Sequence, residues 1–266
     1  MKLHASRRGT GPLLVCHPGG PGFDGSELHD LGGLDSTRTL LLVDPRGAGG
    51  SEDAETYLLD DYVCDLEELR SDLGEERIDL LGFSHGGLVA AAYAIAHPER
   101  IRKLVLTVGL AAFTPEMQAE AERVIASFAG EPWYDDATAA IAREESGDYG
   151  TPDEAGAMWN AMVPLYFSRW EERYRPLVEV ERMNPEPLRQ FNATPFDLRP
   201  DLGRIEAETL VITGREDFIC GPAAANVLAD GIRRSELVIV EHAGHMLHLE
   251  QPAAYSGAVE AFLARR

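Results

Sequence analysis

Six short, continuous apolar runs separated by stretches with helical spacing constrain this chain more than any other feature in it. The runs are Pro12–Cys16 (PLLVC), Thr39–Val43, Ile78–Phe83, Lys103–Val108, Thr209–Thr213 and Glu236–Val240. A strand that is apolar along its whole length is buried on both faces, the condition of a parallel sheet. Parallel neighbours need long crossover connections, which helices supply. Leu59, Tyr62, Val63, Leu66, Leu69 and Leu73 recur at steps of three and four ahead of Gly74, which predicts a helix over 56–73. The alanine-rich stretch 86–96, stopping before Pro98, predicts a helix pressed closely on the sheet, and 251–264 predicts a C-terminal one. The fold class is therefore α/β, a mostly parallel sheet flanked by helices.

Between residues 112 and 199 the pattern changes. The spacing is helical, prolines are frequent, Trp133, Trp159 and Trp170 all fall here, and no strand-like run occurs. We expect a core made of 1–111 and 200–266 with 112–199 inserted as a helical cap; the proline- and acid-rich piece 179–187 reads as a bend between cap helices. A chain of 266 residues can bury the core such an arrangement needs.

Charge and composition narrow the partners. With a net charge of -21, the chain repels phosphate backbones and anionic lipid, so neither nucleic acid nor a membrane is expected. No apolar run approaches the roughly 20 residues that span a bilayer. The N-terminal residues lack the apolar stretch of a secretory signal, and a cytoplasmic location is expected. Cys16, Cys64 and Cys220 are too few and too scattered for a disulfide framework and read as small buried hydrophobes. The histidines lack ligand spacing, so no metal or cofactor is expected.

The chemistry gathers at the ends of the predicted strands. Gly82-Phe83-Ser84-His85-Gly86 joins the strand 78–83 to the alanine-rich helix and fits the Gly-x-Ser-x-Gly turn, which is so tight that its flanking positions must be glycine. It lifts the serine hydroxyl above the sheet, with the positive end of the helix beside it. A serine hydroxyl needs a positioned base to attack, and the base needs an orienting acid. Both residue types follow in the required order. Asp217, with Glu216 as a rival, lies beyond the strand 209–213; His245, with His242 and His248 as rivals, lies beyond the strand 236–240. Loops at the carboxyl ends of parallel strands are where open α/β sheets place their sites. An oxyanion on the substrate would need two backbone donors. One is the N–H of His85; the other falls in His17-Pro-Gly-Gly-Pro-Gly, at Gly20 or the adjacent Gly19.

Taken together, HPGGPG (His17–Gly22), DPRGAGGS (Asp44–Ser51), GFSHGG (Gly82–Gly87), GREDFICGP (Gly214–Pro222) and HAGHMLHLEQP (His242–Pro252) resemble, in order and spacing, the proline iminopeptidase family of α/β-hydrolases. The resemblance covers both flanks of the core. It implies the α/β-hydrolase fold and a serine hydrolase that removes an N-terminal residue, often proline, from small peptides or amides through an acyl-enzyme. It also implies cap carboxylates that hold the substrate's α-ammonium group; Trp170-Glu171 looks like the family's Trp-Glu cap motif, which makes Glu171 and Trp170 substrate-binding candidates. Fold relatives such as haloalkane dehalogenases and epoxide hydrolases use an aspartate where this chain has Ser84. Three substrate classes stay open: an aminoacyl amide, an ester or lactone, and a carbon–carbon bond beside a ketone. A binding protein without turnover is the alternative from another class.

Overall fold

A computed structural model describes residues 1–265. Its sheet has seven strands, β1 (His4–Arg8), β2 (Leu13–His17), β3 (Thr39–Asp44), β4 (Ile78–Phe83), β5 (Ile101–Thr107), β6 (Glu208–Gly214) and β7 (Ser235–Val240), in the order β1-β3-β2-β4-β5-β6-β7. Every neighbouring pair is parallel except β1–β3. The six apolar runs all lie in this sheet. The strand that the sequence reading did not assign is β1, whose HASRR is largely exposed and carries no apolar alternation; only its pairing with β3, from His4 opposite Asp44 to Arg8 opposite Leu40, marks it.

Helices cover both faces: α1 (Leu59–Asp72), α2 (His85–Ala96), α3 (Pro115–Ser127), α4 (Tyr134–Glu145), α5 (Pro152–Met162), α6 (Arg175–Val178), α7 (Glu186–Ala193), α8 (Pro222–Gly231), α9 (Leu247–Glu250) and α10 (Pro252–Leu263). Among the described residues no strand occurs between β5 and β6, where α3 to α7 lie. Because side chains alternate across a strand, the two cores separate cleanly. Val15, Leu41, Leu80 and Leu104 pack with α2, while Leu14, Leu40, Leu81 and Val105 pack with Tyr255, Val259 and Phe262 of α10. Ala90, Ala91 and Ala94 of α2 are fully buried, and their small side chains let this helix lie close to β4.

Two local expectations shift. Helix α1 starts at Leu59 rather than at 56, because the Arg46 guanidinium bonds the carbonyl of Thr56 at 2.9 Å and the carboxylate of Asp65 at 2.7 Å, holding the chain extended until Asp61 accepts the Leu58 N–H at 3.0 Å. Cys64 is exposed on α1, unlike Cys16 and Cys220, since the buried stripe of that helix runs through Tyr62, Val63 and Leu66. Among the described residues no helix is long and apolar enough to cross a membrane.

The tightest point is where β4 turns into α2. A Cβ on Gly82 would sit 2.1 Å from the Gly86 carbonyl oxygen, and one on Gly86 would sit 2.4 Å from that of His17. Both obstacles are backbone and cannot swing away. Gly82→Ala and Gly86→Ala are therefore expected to lower the unfolding free energy by about 2 kcal/mol or more. Gly257→Ala, on an exposed stretch of α10 with nothing near its Cβ, should instead raise it by roughly 0.5–1 kcal/mol. Denaturant midpoints of the three variants check this.

Candidate active site

Ser84 is the single residue between β4 and α2, and its backbone is held at φ 54° and ψ -118°. A non-glycine residue there carries on the order of 1–3 kcal/mol of strain, sustained only because the surroundings over-determine it. Its N–H donates to Thr107 at 2.9 Å and its carbonyl accepts from Gly87 at 2.8 Å. The turn therefore cannot relax without breaking the β4–β5 edge. His85 opens α2, so its N–H is one of those a helix leaves without an intrahelical partner.

His245 lies between β7 and α9, and Asp217 lies between β6 and α8. The His245 Nδ1 is 2.8 Å from Asp217 Oδ2, and both side chains are buried. A carboxylate oxygen can only accept, so the proton of that bond belongs to Nδ1, and in the neutral imidazole Nε2 is then the nitrogen that carries the lone pair. Asp217 is itself fixed, since its Oδ1 accepts the N–H groups of Ile219 (2.8 Å) and Cys220 (3.0 Å). Glu216 does not reach the imidazole. Its carboxylate accepts the Ala243 N–H at 3.1 Å, bracing the histidine's loop. Glu250 braces it from the other side, accepting from Gly244 N–H at 2.6 Å and from Ser168 N–H and Oγ at 2.9 and 2.7 Å. Of the rival histidines, His242 is exposed, and His248 is buried with neither ring nitrogen hydrogen-bonded, its pKa pushed down to about 3 by burial.

Ser84, His85, His245 and Gly20 line one cavity of about 230 Å³. Of the two loop glycines, Gly19 has its N–H engaged by Glu27 Oε2 at 2.8 Å, whereas the Gly20 N–H, at φ +101°, has no backbone partner among the described residues. The walls are mainly apolar. Trp159 is central, meeting Phe23 and Tyr166 each at 4.7 Å between ring centroids while its Nε1 donates to the Val178 carbonyl. Against this lining stand the carboxyl groups of Glu27, Glu144 and Glu145 and the amide of Asn192, with no Lys or Arg. Burial raises the pKa of Glu144. Burial also pushes Glu27 up to about 7, opposed by the Gly19 N–H and by His245. A larger depression of about 820 Å³ opens beyond Phe23, Glu27, Trp159 and Met183, which line both spaces.

The cap pair inferred from sequence lies elsewhere. Glu171 is 44% exposed and paired with Arg173 at 3.1 Å, in a surface depression it shares with Glu216 and His242. The Trp170 indole packs on Phe167 and donates to Glu172 at 3.0 Å. Neither lines the Ser84 cavity, because the chain from Ser168 onward is tied to Glu250 on the outer side of the histidine loop.

Compared with known protein families, residues 12–252 match the model of the alpha/beta hydrolase fold. The chain is an α/β-hydrolase. It is 31% identical to the 2-hydroxymuconate semialdehyde hydrolase of Pseudomonas sp. strain CF600 over 98% of this chain and 89% of that one. It is 29% identical to a proline iminopeptidase of Saccharolobus solfataricus over 96% of this chain and 86% of the relative. Among solved structures, a hydrolase from Pseudomonas aeruginosa PA01 superposes with a TM-score of 0.72 at 28% identity, covering 99% and 94% of the two chains.

In this α/β-hydrolase the cavity is lined by Glu27 and Glu144, which the sequence did not single out, and by Trp159, which the sequence placed in the cap without a role. Trp159, on α5, and Tyr166, at the end of the 3₁₀ turn Val163–Tyr166 that follows it, are brought together by that turn and not by a shared helical face. The two acids carry no signal in the sequence. Glu27 offers a thermodynamic handle on the cavity. An acid whose pKa rises from 4.5 to about 7 on folding binds more protons in the native state, so stability falls as pH rises through that window and stays lowered above it, by on the order of 3 kcal/mol. Glu27→Gln is expected to unfold at nearly the wild-type temperature at pH 4.5 and at a higher one at pH 8. Thermal melts across that range check the sign.

Proposed function

We propose that this α/β-hydrolase is a serine hydrolase that cleaves a small aminoacyl amide or N-terminal peptide bond through an acyl-enzyme. The observation that carries the reading is the buried His245–Asp217 hydrogen bond behind a cavity that also holds Ser84. His245 Nε2 takes the proton from Ser84 Oγ as that oxygen attacks the carbonyl carbon, and Asp217 stabilises the imidazolium formed. The N–H groups of Gly20 and His85 receive the negative oxygen. His245 then returns the proton to the departing amine, and water repeats the sequence to release the acid.

The cavity's charge favours an amine-bearing substrate. Glu144 and Glu27 stand in an apolar enclosure with no cation, so an α-ammonium group would supply the opposite charge that both carboxylates lack there. Among these, Glu144 takes the substrate-binding role that the sequence alone gave to Glu171. The main rival is hydrolysis of a carbon–carbon bond beside a ketone; the Pseudomonas relative is by its name a hydrolase of 2-hydroxymuconate semialdehyde, a carboxylate. A carboxylate would meet Glu27 and Glu144 without a Lys or Arg to balance it, which disfavours that reading.

Ser84→Ala is expected to lower turnover by several orders of magnitude with unfolding unchanged or improved, and Asp217→Asn to cost far more activity than Glu216→Gln. Labelling by a phosphonylating reagent at any other serine would contradict the mechanism. For the substrate class, aminoacyl anilides with free and blocked amines are compared with neutral aryl esters. Glu144→Gln should reduce kcat/KM for the free-amine anilides by about 10-fold or more and leave the esters within about threefold. A wild-type preference for blocked amides or esters would replace the aminopeptidase reading with an esterase one.

A further inference from the structure

Glu27 faces the cavity beside Glu144, yet its Oε2 is taken by the Gly19 N–H, a contact that neither the triad nor amine recognition accounts for. It sits on the 3₁₀ turn Gly25–Leu28, and that turn is fixed at its start: the Gly25 N–H donates to Asp44 Oδ1 at 3.0 Å, and Asp24 Oδ1 accepts the Ser26 N–H at 2.8 Å. Asp44 ends β3 and also accepts the Gly50 N–H at 2.8 Å, so the turn is anchored to the sheet. From this base Glu27 reaches across to the Gly19 N–H at 2.8 Å. A Cβ placed on Gly19 would lie 3.1 Å from Ser84 Cβ and 3.2 Å from Glu27 Oε2. Gly19 is therefore held between the serine and the carboxylate, one residue ahead of the Gly20 N–H, and Glu27 lines the same cavity as Ser84, Gly20 and His245.

We propose that Glu27 is a positioning residue for the oxyanion loop, pinning Gly19 through its N–H so that the next N–H, that of Gly20, stays free for the oxygen carried above Ser84. This rests on the reading of Ser84 as nucleophile. A neutral side chain could have accepted one N–H without the desolvation that burial imposes on a carboxyl group. Among the described residues Glu27 has no Lys or Arg partner, and the charged groups that act on it are His245, which favours its ionisation, and Asp24, which opposes it. Burial accordingly drives its pKa up to about 7. A charge-assisted bond is shorter and stronger than a neutral one, which suits an anchor one residue away from a catalytic donor. Groups kept at the expense of stability cluster at functional sites.

The test uses an aryl phosphonate that carries no amine, because its phosphoryl oxygen occupies the oxyanion position regardless of substrate class. The rate of Ser84 labelling is followed by intact mass. Glu27→Met keeps the stem and removes the acceptor, and Glu27→Gln keeps an acceptor without the charge. Loss of a positioned oxyanion donor typically costs 10²–10³-fold, so Glu27→Met should slow the maximal labelling rate by at least about 30-fold while half-saturation stays within about threefold. Glu27→Gln should recover to within about fivefold of wild type. A Glu27→Met protein that labels at the wild-type rate overturns the proposal, as does a Glu27→Gln protein as slow as Glu27→Met with both folded by their melts. If Glu27→Met is not obtained folded, Glu27→Ala serves in the same comparison. Wild-type protein labelled elsewhere than Ser84 removes the nucleophile assignment and the proposal with it.

Discussion

The backbone contact at the β4–α2 turn sets the terms for everything around it. Gly82 and Gly86 allow a strand and a helix to meet with almost no space between them, and Ser84 is forced to a positive φ as a result. The helix must then run back along β4, which requires the small side chains of Ala90, Ala91 and Ala94. The loops after β2, β6 and β7 all end on the same side of the sheet, so Gly20, Asp217 and His245 converge on the one residue that the turn presents. A parallel sheet makes this convergence automatic, since every strand delivers its carboxyl end to one edge.

What the sequence made legible follows the same division. Continuous apolar runs mark buried strands whatever their neighbours are, so all six parallel strands could be read directly. β1 could not be, because an edge strand with exposed arginines gains its conformation from pairing with β3 and not from its own pattern. The segments bearing Ser84, Asp217 and His245 each sit within a residue or a few of a strand end, so local context located them. Glu27 and Glu144 come to line one cavity only in the folded chain, separated by more than a hundred residues, one on a 3₁₀ turn and the other near the end of α4. Trp170-Glu171 shows the converse: a short motif in a helical segment says little about which face turns inward, and here Arg173 and solvent claim the carboxylate.

The overall acidity of the chain and the acidity of the cavity have different origins. A charge of -21 is spread over a solvated surface, where salt screens it within about 10 Å. Inside the cavity, Glu27 and Glu144 are half-buried with no Lys or Arg in the lining, and burial raises the pKa of both. His85, which lines the same cavity, is pushed down to about 3 by burial. The enclosure thus concentrates unbalanced acceptor groups around a serine, a poor environment for an anion and a receptive one for a donor.

Glu250 gives this arrangement a mechanical character. One carboxylate oxygen holds Gly244, next to His245, and the other holds Ser168, in the helical segment between β5 and β6. The Met246 N–H adds a bond to the Tyr166 carbonyl at 3.1 Å, and the Tyr166 ring stands edge-on to the imidazole. The helical segment and the histidine therefore share a hinge pin. Exchanging the helical segment that carries Tyr166 and Ser168 would therefore also reset the loop that carries His245.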